Sequence, residues 1–214
     1  MILRLLLVGM LPLLALADGG PKVIYTKSFP GSQPPFISIT VEKSGRMEYK
    51  EDPADTNPQV VQLTPAEVDE VFALADKLDH FKRQIESGLK VARMGDKTFR
   101  YEDGATVQEA KFNYSTDPDA KQLHDWFERV SETEQAYQNL ERTMKFDKLG
   151  VNQALLQFQV AIERKRIVGA QQFLPLLDRV AKNQTYMHMA RERAEQLAAS
   201  IRNPQAAAAK SENP

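Results

Sequence analysis

Residues of the stretch from Asp117 to Lys145 follow a heptad pattern, with no Gly and with a single Pro, Pro118, near the start. The a and d positions of the heptad alternate in steps of three and four residues. They are occupied by Leu123, Trp126, Val130, Thr133, Tyr137, Leu140 and Met144. This seam predicts one long helix, about 40 Å in length at about 1.5 Å per residue, which joins a strand-rich half of the chain to a helical half.

Polar and apolar residues alternate in several short stretches before this helix, which is the pattern of half-buried strands. Strands are predicted at Val23–Phe29, Phe36–Lys43, Arg46–Glu51, Lys97–Glu102 and Ala105–Tyr114. The dipeptides Ser44-Gly45 and Asp103-Gly104 favour tight turns, so all but the first of these strands pair into two β-hairpins.

Each predicted hairpin is followed, after a loop, by a helix start. Thr64 is a capping residue, Pro65 suits the first helical position, and Glu67 completes a capping box. Asp117 and Pro118 repeat the same arrangement. The order hairpin, loop, capped helix therefore occurs twice, which predicts an α+β fold: one antiparallel sheet from two hairpin-helix units, with both helices on one face.

Two segments carry a resemblance: "LTPAEVDEVFALADKLDHF" and "KTFRYEDGATVQEAKFNYSTDPDAKQLHDWF". Together with the first hairpin they resemble small exported bacterial α+β domains of unknown function that have the same order of elements. The resemblance covers about Phe36 to Val130 and lies in patterning. It implies a fold and an exported protein, and it assigns no catalytic, cofactor-binding or metal-binding residue.

Apolar stripes predict further helices after the long one. Their stripes are Val151, Leu155, Phe158 and Ile162; Phe173, Leu177 and Val180; and Met187, Ala190, Ala194, Leu197 and Ile201. Short links between them imply an antiparallel helical hairpin or small bundle. The segments "FLPLLDRVAKN" and "YMHMARERAEQLAASI" resemble one helix pair of a HEAT-type solenoid, although one pair is fewer than a solenoid needs.

The N-terminus has the pattern of a signal peptide. Arg4 is followed by the apolar run Leu5–Leu16, and Ala15-Leu16-Ala17 fits the small-x-small cleavage rule. We therefore expect a signal peptide at residues 1–17, an α+β domain at 18–132, a helical domain at 133–203 and a disordered tail at 204–214. Retention of the uncleaved N-terminus as a membrane anchor is the alternative.

Charge and cysteine content narrow the partners and the compartment. The 214 residues carry a net charge of −1, and neither half has the basic excess that nucleic-acid binding needs. No cysteine is present, which excludes disulfides, thiol catalysis and thiolate metal sites. An exported protein without disulfides relies on its core, which favours a periplasmic or secreted bacterial protein. No stable membrane insertion is expected after signal cleavage.

Candidate metal ligands are few. His80, His124 and His188 are the only histidines, and none has another histidine at ligand spacing. The nearest approach to a metal site is the group Asp117, Asp119, His124 and Asp125. A helix cap and a favourable helix-dipole interaction explain the first two residues more simply.

Candidate catalytic residues are equally sparse. No nucleophile, phosphate-loop or dinucleotide motif is present. An acid–base pair could arise from Glu48, Glu51, Asp52 and Asp55, which are close in sequence, although a solvated strand face and a polar loop also explain them.

Three further features each allow two interpretations. Trp126 is a core anchor or an interface hot spot. Arg164-Lys165-Arg166 complements a helix C-terminus or binds phosphate. The Pro-rich loop Pro30–Pro35 is a stiff connection or a recognition surface.

The sequence contains clear structural motifs and no catalytic motif. This combination predicts a non-catalytic binding or interaction module with no cofactor. Its expected partner surfaces are a sheet edge, by strand addition, and the surface of the C-terminal helices. The alternative is a hydrolase-type enzyme with acid–base carboxylates assembled from distant segments. A deep cleft lined by two carboxylates with perturbed pKa values would favour that alternative.

Overall fold

The computed structural model describes residues 20–204 and has the predicted α+β fold. Its strands are β1 (Lys22–Ser28), β2 (Phe36–Glu42), β3 (Arg46–Lys50), β4 (Gln59–Gln62), β5 (Asp96–Asp103) and β6 (Thr106–Phe112). They form one antiparallel sheet in the order β4-β3-β2-β1-β5-β6. The predicted signal peptide and residues 205–214 of the predicted tail lie outside the described residues.

Both predicted hairpins are confirmed, with two differences. The sequence did not predict β4, which pairs with β3. The second turn lies one residue later than predicted, because β5 includes Asp103 and the positive φ of Gly104 (+56°) begins the turn. As predicted, β1 belongs to neither hairpin; it lies between them, bonded to β2 on one side and β5 on the other.

The helices are α1 (Pro65–Lys77), α2 (Pro118–Phe146), α3 (Val151–Glu163), α4 (Leu174–Lys182) and α5 (His188–Arg202). The predicted long helix is confirmed as α2, with 29 residues. The caps are also as predicted: Thr64 and Glu67 form a reciprocal capping box on α1, and Asp117 accepts hydrogen bonds from the first amides of α2. No helix within residues 20–204 combines the length and the apolar character that crossing a membrane requires.

Replacement of Thr64 by alanine should lower the free energy of unfolding by about 1 kcal/mol, because the α1 amide of Glu67 loses its capping oxygen. Denaturant titration would measure the loss. The matched control is Thr56→Ala, since Thr56 is exposed in the loop before β4. If the midpoints of the two variants coincide, the cap contributes nothing.

Helices α1 and α2 cover one face of the sheet, as predicted. Inward-facing strand residues such as Tyr25 and Phe99 pack with Phe72 of α1 and with Trp126 and Phe127 of α2 in one buried cluster. The Trp126 ring is fully buried and meets Phe127 edge to face, so its interpretation as a core anchor is confirmed. The opposite face of the sheet bears half-exposed side chains.

The last turns of α2 pack with α3, α4 and α5 in a second buried cluster, to which α2 contributes Leu140 and Met144. Met187, predicted to lie on the apolar stripe of the last helix, is instead an exposed residue just before α5. Between the two clusters α2 buries the polar residues Ser131, Thr133 and Glu134. The domain boundary after residue 132 stays a prediction; Val168, which follows it in sequence, is buried in the first cluster.

Candidate functional site at the junction of sheet and helices

The connection between α3 and α4 lies against the sheet half. Val168 is buried in the first cluster, and its amide donates to Thr133 Oγ1 at 3.1 Å. The Gly169 amide donates to Glu67 Oε1 at 2.6 Å. A Cβ at residue 169 would lie 3.1 Å from Val61 Cγ1, and the φ of Gly169 is +71°. Both the close contact and the backbone conformation therefore require glycine at this position. These contacts hold the helical half against β4 and α1.

The basic cluster divides between two roles. Arg164 occupies the C-cap position of α3, where its backbone amide donates to the carbonyls of Val160 and Ile162. Arg166 instead reaches α2, where it bonds Asp125 at 2.7 Å and Glu132 at 2.8 Å. Hydrogen bonds to these two carboxylates raise the pKa of Arg166. The cluster therefore contributes to the junction.

A buried glutamate lies inside this junction. Glu134 is 0% exposed, and its Oε1 accepts from Gln172 Nε2 at 2.8 Å. Gln172 Oε1 in turn accepts from Gln59 Nε2 of β4 at 3.1 Å. Glu134 Oε2 has no protein partner among residues 20–204. Burial raises the pKa of Glu134 to about 7, and the hydrogen bond from Gln172 opposes this shift.

Gln59 and Gln172 also line an open groove of about 620 Å³, which follows the unpaired edge of β4. Its walls come from β4 and the two residues before it, from α2, and from the turn at Ala170–Phe173. The lining residues are Asn57, Pro58, Gln59, Val60, Val61, Gln62, Tyr137, Glu141, Gln171 and Gln172. Side-chain amides dominate this set, and Glu141 is its only charged member.

The backbone of β4 offers hydrogen-bonding groups to this groove. The Leu63 amide donates to the Gly45 carbonyl at 2.9 Å, which fixes the phase of the ladder between β3 and β4. In an antiparallel pair, every second residue forms hydrogen bonds with the partner strand, so Val61 is the next residue bonded to β3. The amides and carbonyls of Val60 and Gln62 therefore point away from β3, toward the unpaired side of β4. Val60 is also 52% exposed. This edge can accept an extended strand.

The other sheet edge is different in character. On β6, Glu109 and Lys111 form an ion pair of 3.1 Å. Charged side chains of this kind protect an edge from pairing with another strand. The sequence of β4, Gln-Val-Val-Gln, carries no charge. Of the two edges of the sheet, β4 is the less protected.

The carboxylates proposed as an acid–base pair have separate partners. Glu48 pairs with Arg46, and Glu51 Oε1 accepts from the Tyr49 hydroxyl at 2.8 Å. The other two stabilise the loop after β3, where each accepts a backbone amide at 2.8 Å. They are Asp52 and Asp55.

The four candidate metal ligands are also spread over different contacts. Asp117 caps α2, Asp119 lies 3.8 Å from Lys77 Nζ, and Asp125 pairs with Arg166. The His124 ring lies edge-on to Tyr25 and Phe112, packed against the sheet. Within residues 20–204 no three histidine or acidic side chains are grouped so as to hold a metal ion. The two remaining histidines contact single carboxylates; they are His80, beside Asp76, and His188, beside Glu192.

Two further surfaces are exposed, and one of them, the Pro-rich loop, was predicted as a possible recognition surface. The Pro-rich loop borders a second open groove, of about 590 Å³, through Gln33, Pro34 and Pro35. Phe146, the last residue of α2, and Leu149, in the turn before α3, are 75% and 76% exposed. Exposed apolar side chains occur on many monomers and do not identify a partner by themselves.

The sequence did not predict the hydrogen-bonded series of Gln59, Gln172 and Glu134. Glu134 and Gln172 are 38 residues apart, and neither belongs to a motif. The available signal was the polar interruption of the heptad seam at Thr133, next to Glu134.

Comparison of the chain with protein-family models, with curated proteins and with solved structures finds no match.

Proposed function

We propose that this protein is an exported, non-catalytic interaction module that binds an extended segment of a partner protein along β4. The observation that carries the proposal is an uncharged sheet edge whose outward backbone groups line an open groove of about 620 Å³. Strand addition uses main-chain hydrogen bonds for affinity and adjacent side-chain pockets for specificity. Export is supported by the apolar run Leu5–Leu16 and by the small-x-small motif Ala15-Leu16-Ala17 at its end.

The groove favours particular side chains in the partner. A strand added to β4 pairs its backbone with Val60 and Gln62, and its alternate side chains enter the groove beside Tyr137. Glu141 is the one charge there, so a lysine or arginine at that position of the partner is favoured. Each main-chain hydrogen bond contributes about 1 kcal/mol net, which suits a reversible interaction.

A hydrolase-type mechanism has less support. In residues 20–204, Glu134 is the carboxyl group whose pKa is clearly raised, and it is enclosed within the junction. The carboxylates near β3 have separate partners. An acid–base mechanism needs two such groups facing a shared cleft.

Val60→Pro tests the proposal. Proline removes the outward amide of Val60 without removing a ladder bond to β3, so the sheet is preserved while the edge is blocked. Short peptides selected from a displayed library on the wild-type protein should bind the variant about tenfold more weakly or worse, because one or two main-chain hydrogen bonds of about 1 kcal/mol each are lost.

Val60→Thr is the matched control, since it keeps the amide and a β-branched side chain. Peptides should bind it as they bind the wild type. Equal affinity for Val60→Pro and Val60→Thr would contradict strand addition at β4, and so would a selection that yields no binder. Circular dichroism of both variants verifies that the sheet is retained.

A further inference from the structure

A second site lies near the opposite edge of the sheet from β4, where β5 and β6 meet the first turns of α2. It is a small cavity of about 160 Å³, roughly the liquid volume of five water molecules. Its floor is apolar, with Phe112 and the fully buried Ala120. Its polar lining includes Lys97, Lys121 and His124. The site is remote from β4 in the strand order and is independent of the peptide groove.

Lys97 occupies an inward position on β5. It shares the buried face of that strand with Phe99 and Tyr101 and is only 5% exposed. Its Nζ donates to the Asn113 carbonyl at 2.8 Å and lies 5.7 Å from the centre of the Phe112 ring. Within residues 20–204 no carboxylate lies within ion-pair distance of it, and burial lowers its pKa.

A buried ammonium group is costly unless hydrogen bonds and opposite charge compensate it. Lys97 has three donors and uses one of them on Asn113. Two N–H groups of the Lys97 ammonium are therefore available to a further hydrogen-bond acceptor, and a negatively charged acceptor binds them most strongly.

The nearest carboxylates are occupied by other groups. Both oxygens of Glu128 accept from Lys27 Nζ, at 3.0 and 3.2 Å. Glu86 Oε2 accepts from the Asn113 amide at 2.6 Å, and these backbone hydrogen bonds lower the pKa of Glu86. Glu128, Glu86 and Asp96 therefore act on the Lys97 ammonium only through space, and the positive charge of Lys27 opposes them.

His124 is a second polar group in the wall of the cavity. Its Nε2 is shielded from solvent and makes no hydrogen bond within the described part of the chain, although Glu128 Oε1 lies 3.4 Å away. Burial lowers the pKa of His124, which favours the neutral ring at neutral pH. On the far wall, Lys121 Nζ lies 6.0 Å from the Tyr114 ring and adds a second positive charge.

We propose that this cavity binds a small carboxylate with a short apolar tail. The carboxylate accepts from Lys97 and is attracted by Lys121, and the tail contacts Phe112 and Ala120. A short-chain carboxylic acid and the carboxyl terminus of a peptide share this chemistry.

Titration of the isotopically labelled protein with butyrate tests the site, with butyramide as the neutral probe of equal shape. Butyrate should saturably shift the amide resonances of Asn113, Ser115 and Ala120, and butyramide should not. Lys97→Met keeps the buried stem but removes the charge, and it should weaken butyrate binding by about tenfold or more. Lys111→Met is the matched control, because Lys111 is 76% exposed on the neighbouring strand.

Dialanine and its C-terminal amide distinguish the two sources. If dialanine binds and butyrate does not, the ligand is a peptide terminus. Failure of both carboxylates to bind, or equal butyrate affinity for Lys97→Met and the wild type, would overturn the proposal. Lys97→Arg, which restores the charge, should retain binding if Lys97→Met has lost it. Peptide binding at β4 should be unaffected by these variants, so the two proposals can fail separately.

Discussion

Ser131→Pro is expected to lower the free energy of unfolding by about 3 kcal/mol or more. Ser131 lies near the middle of α2 and is buried. Proline there removes an internal hydrogen bond and its ring collides with the carbonyl of Phe127, one turn earlier. The same helix contributes Val130 to the first buried cluster and Leu140 to the second, so a kink between them displaces both.

Two signals measured on one denaturant titration would show the effect. Fluorescence of Trp126, the single tryptophan, reports the first cluster, and circular dichroism reports the helices. Ser131→Ala is the control because it keeps the helix while removing the hydroxyl. Unfolding of Ser131→Pro at the wild-type midpoint would show that α2 need not be continuous.

Glu134→Gln should make the protein more stable above neutral pH. The pKa of Glu134 is about 7 in the folded protein, against an ordinary value of 4.5. Between those two values the unfolded chain has released this proton and the folded protein still holds it. The contribution of Glu134 to stability therefore falls as pH rises from 4.5 to about 7, by about 3 kcal/mol in all.

Glutamine cannot ionise, and its amide oxygen can still accept from Gln172. The variant should match the wild type near pH 4 and exceed it by up to about 3 kcal/mol at pH 8. Glu195→Gln is the control, since Glu195 is an exposed glutamate on α5. Parallel stability profiles for Glu134→Gln and the wild type from pH 4 to pH 8 would contradict the assigned burial of this carboxyl group.

Features that depend on neighbouring residues could be predicted from the sequence. Thr64 and Asp117 cap their helices through amides two or three residues ahead, so the cap is encoded locally. The seam of α2 follows from the spacing of its own side chains. By contrast, β4 has only four residues, and pairing with β3 makes it a strand. Its pattern is too short for a periodicity argument.

The junction and the small cavity depend on strand order and on contacts between distant segments. Two hairpins do not reveal that β1 lies between them, and this placement leaves β4 and β6 at the edges. Glu134 becomes buried because the connection carrying Gln172 returns to α2. The inward position of Lys97 could have been predicted locally. Lys97 lies two residues before Phe99 on the same strand and therefore shares its inward face.

Hydrogen exchange at the amides of Val60 and Gln62 tests strand addition at β4 most directly. These amides face the groove and have no partner in the ladder with β3. At saturation with a peptide selected on the wild-type protein, both amides should exchange at least about tenfold more slowly, because each gains a hydrogen bond. Unchanged exchange at both positions in the saturated complex would contradict the account.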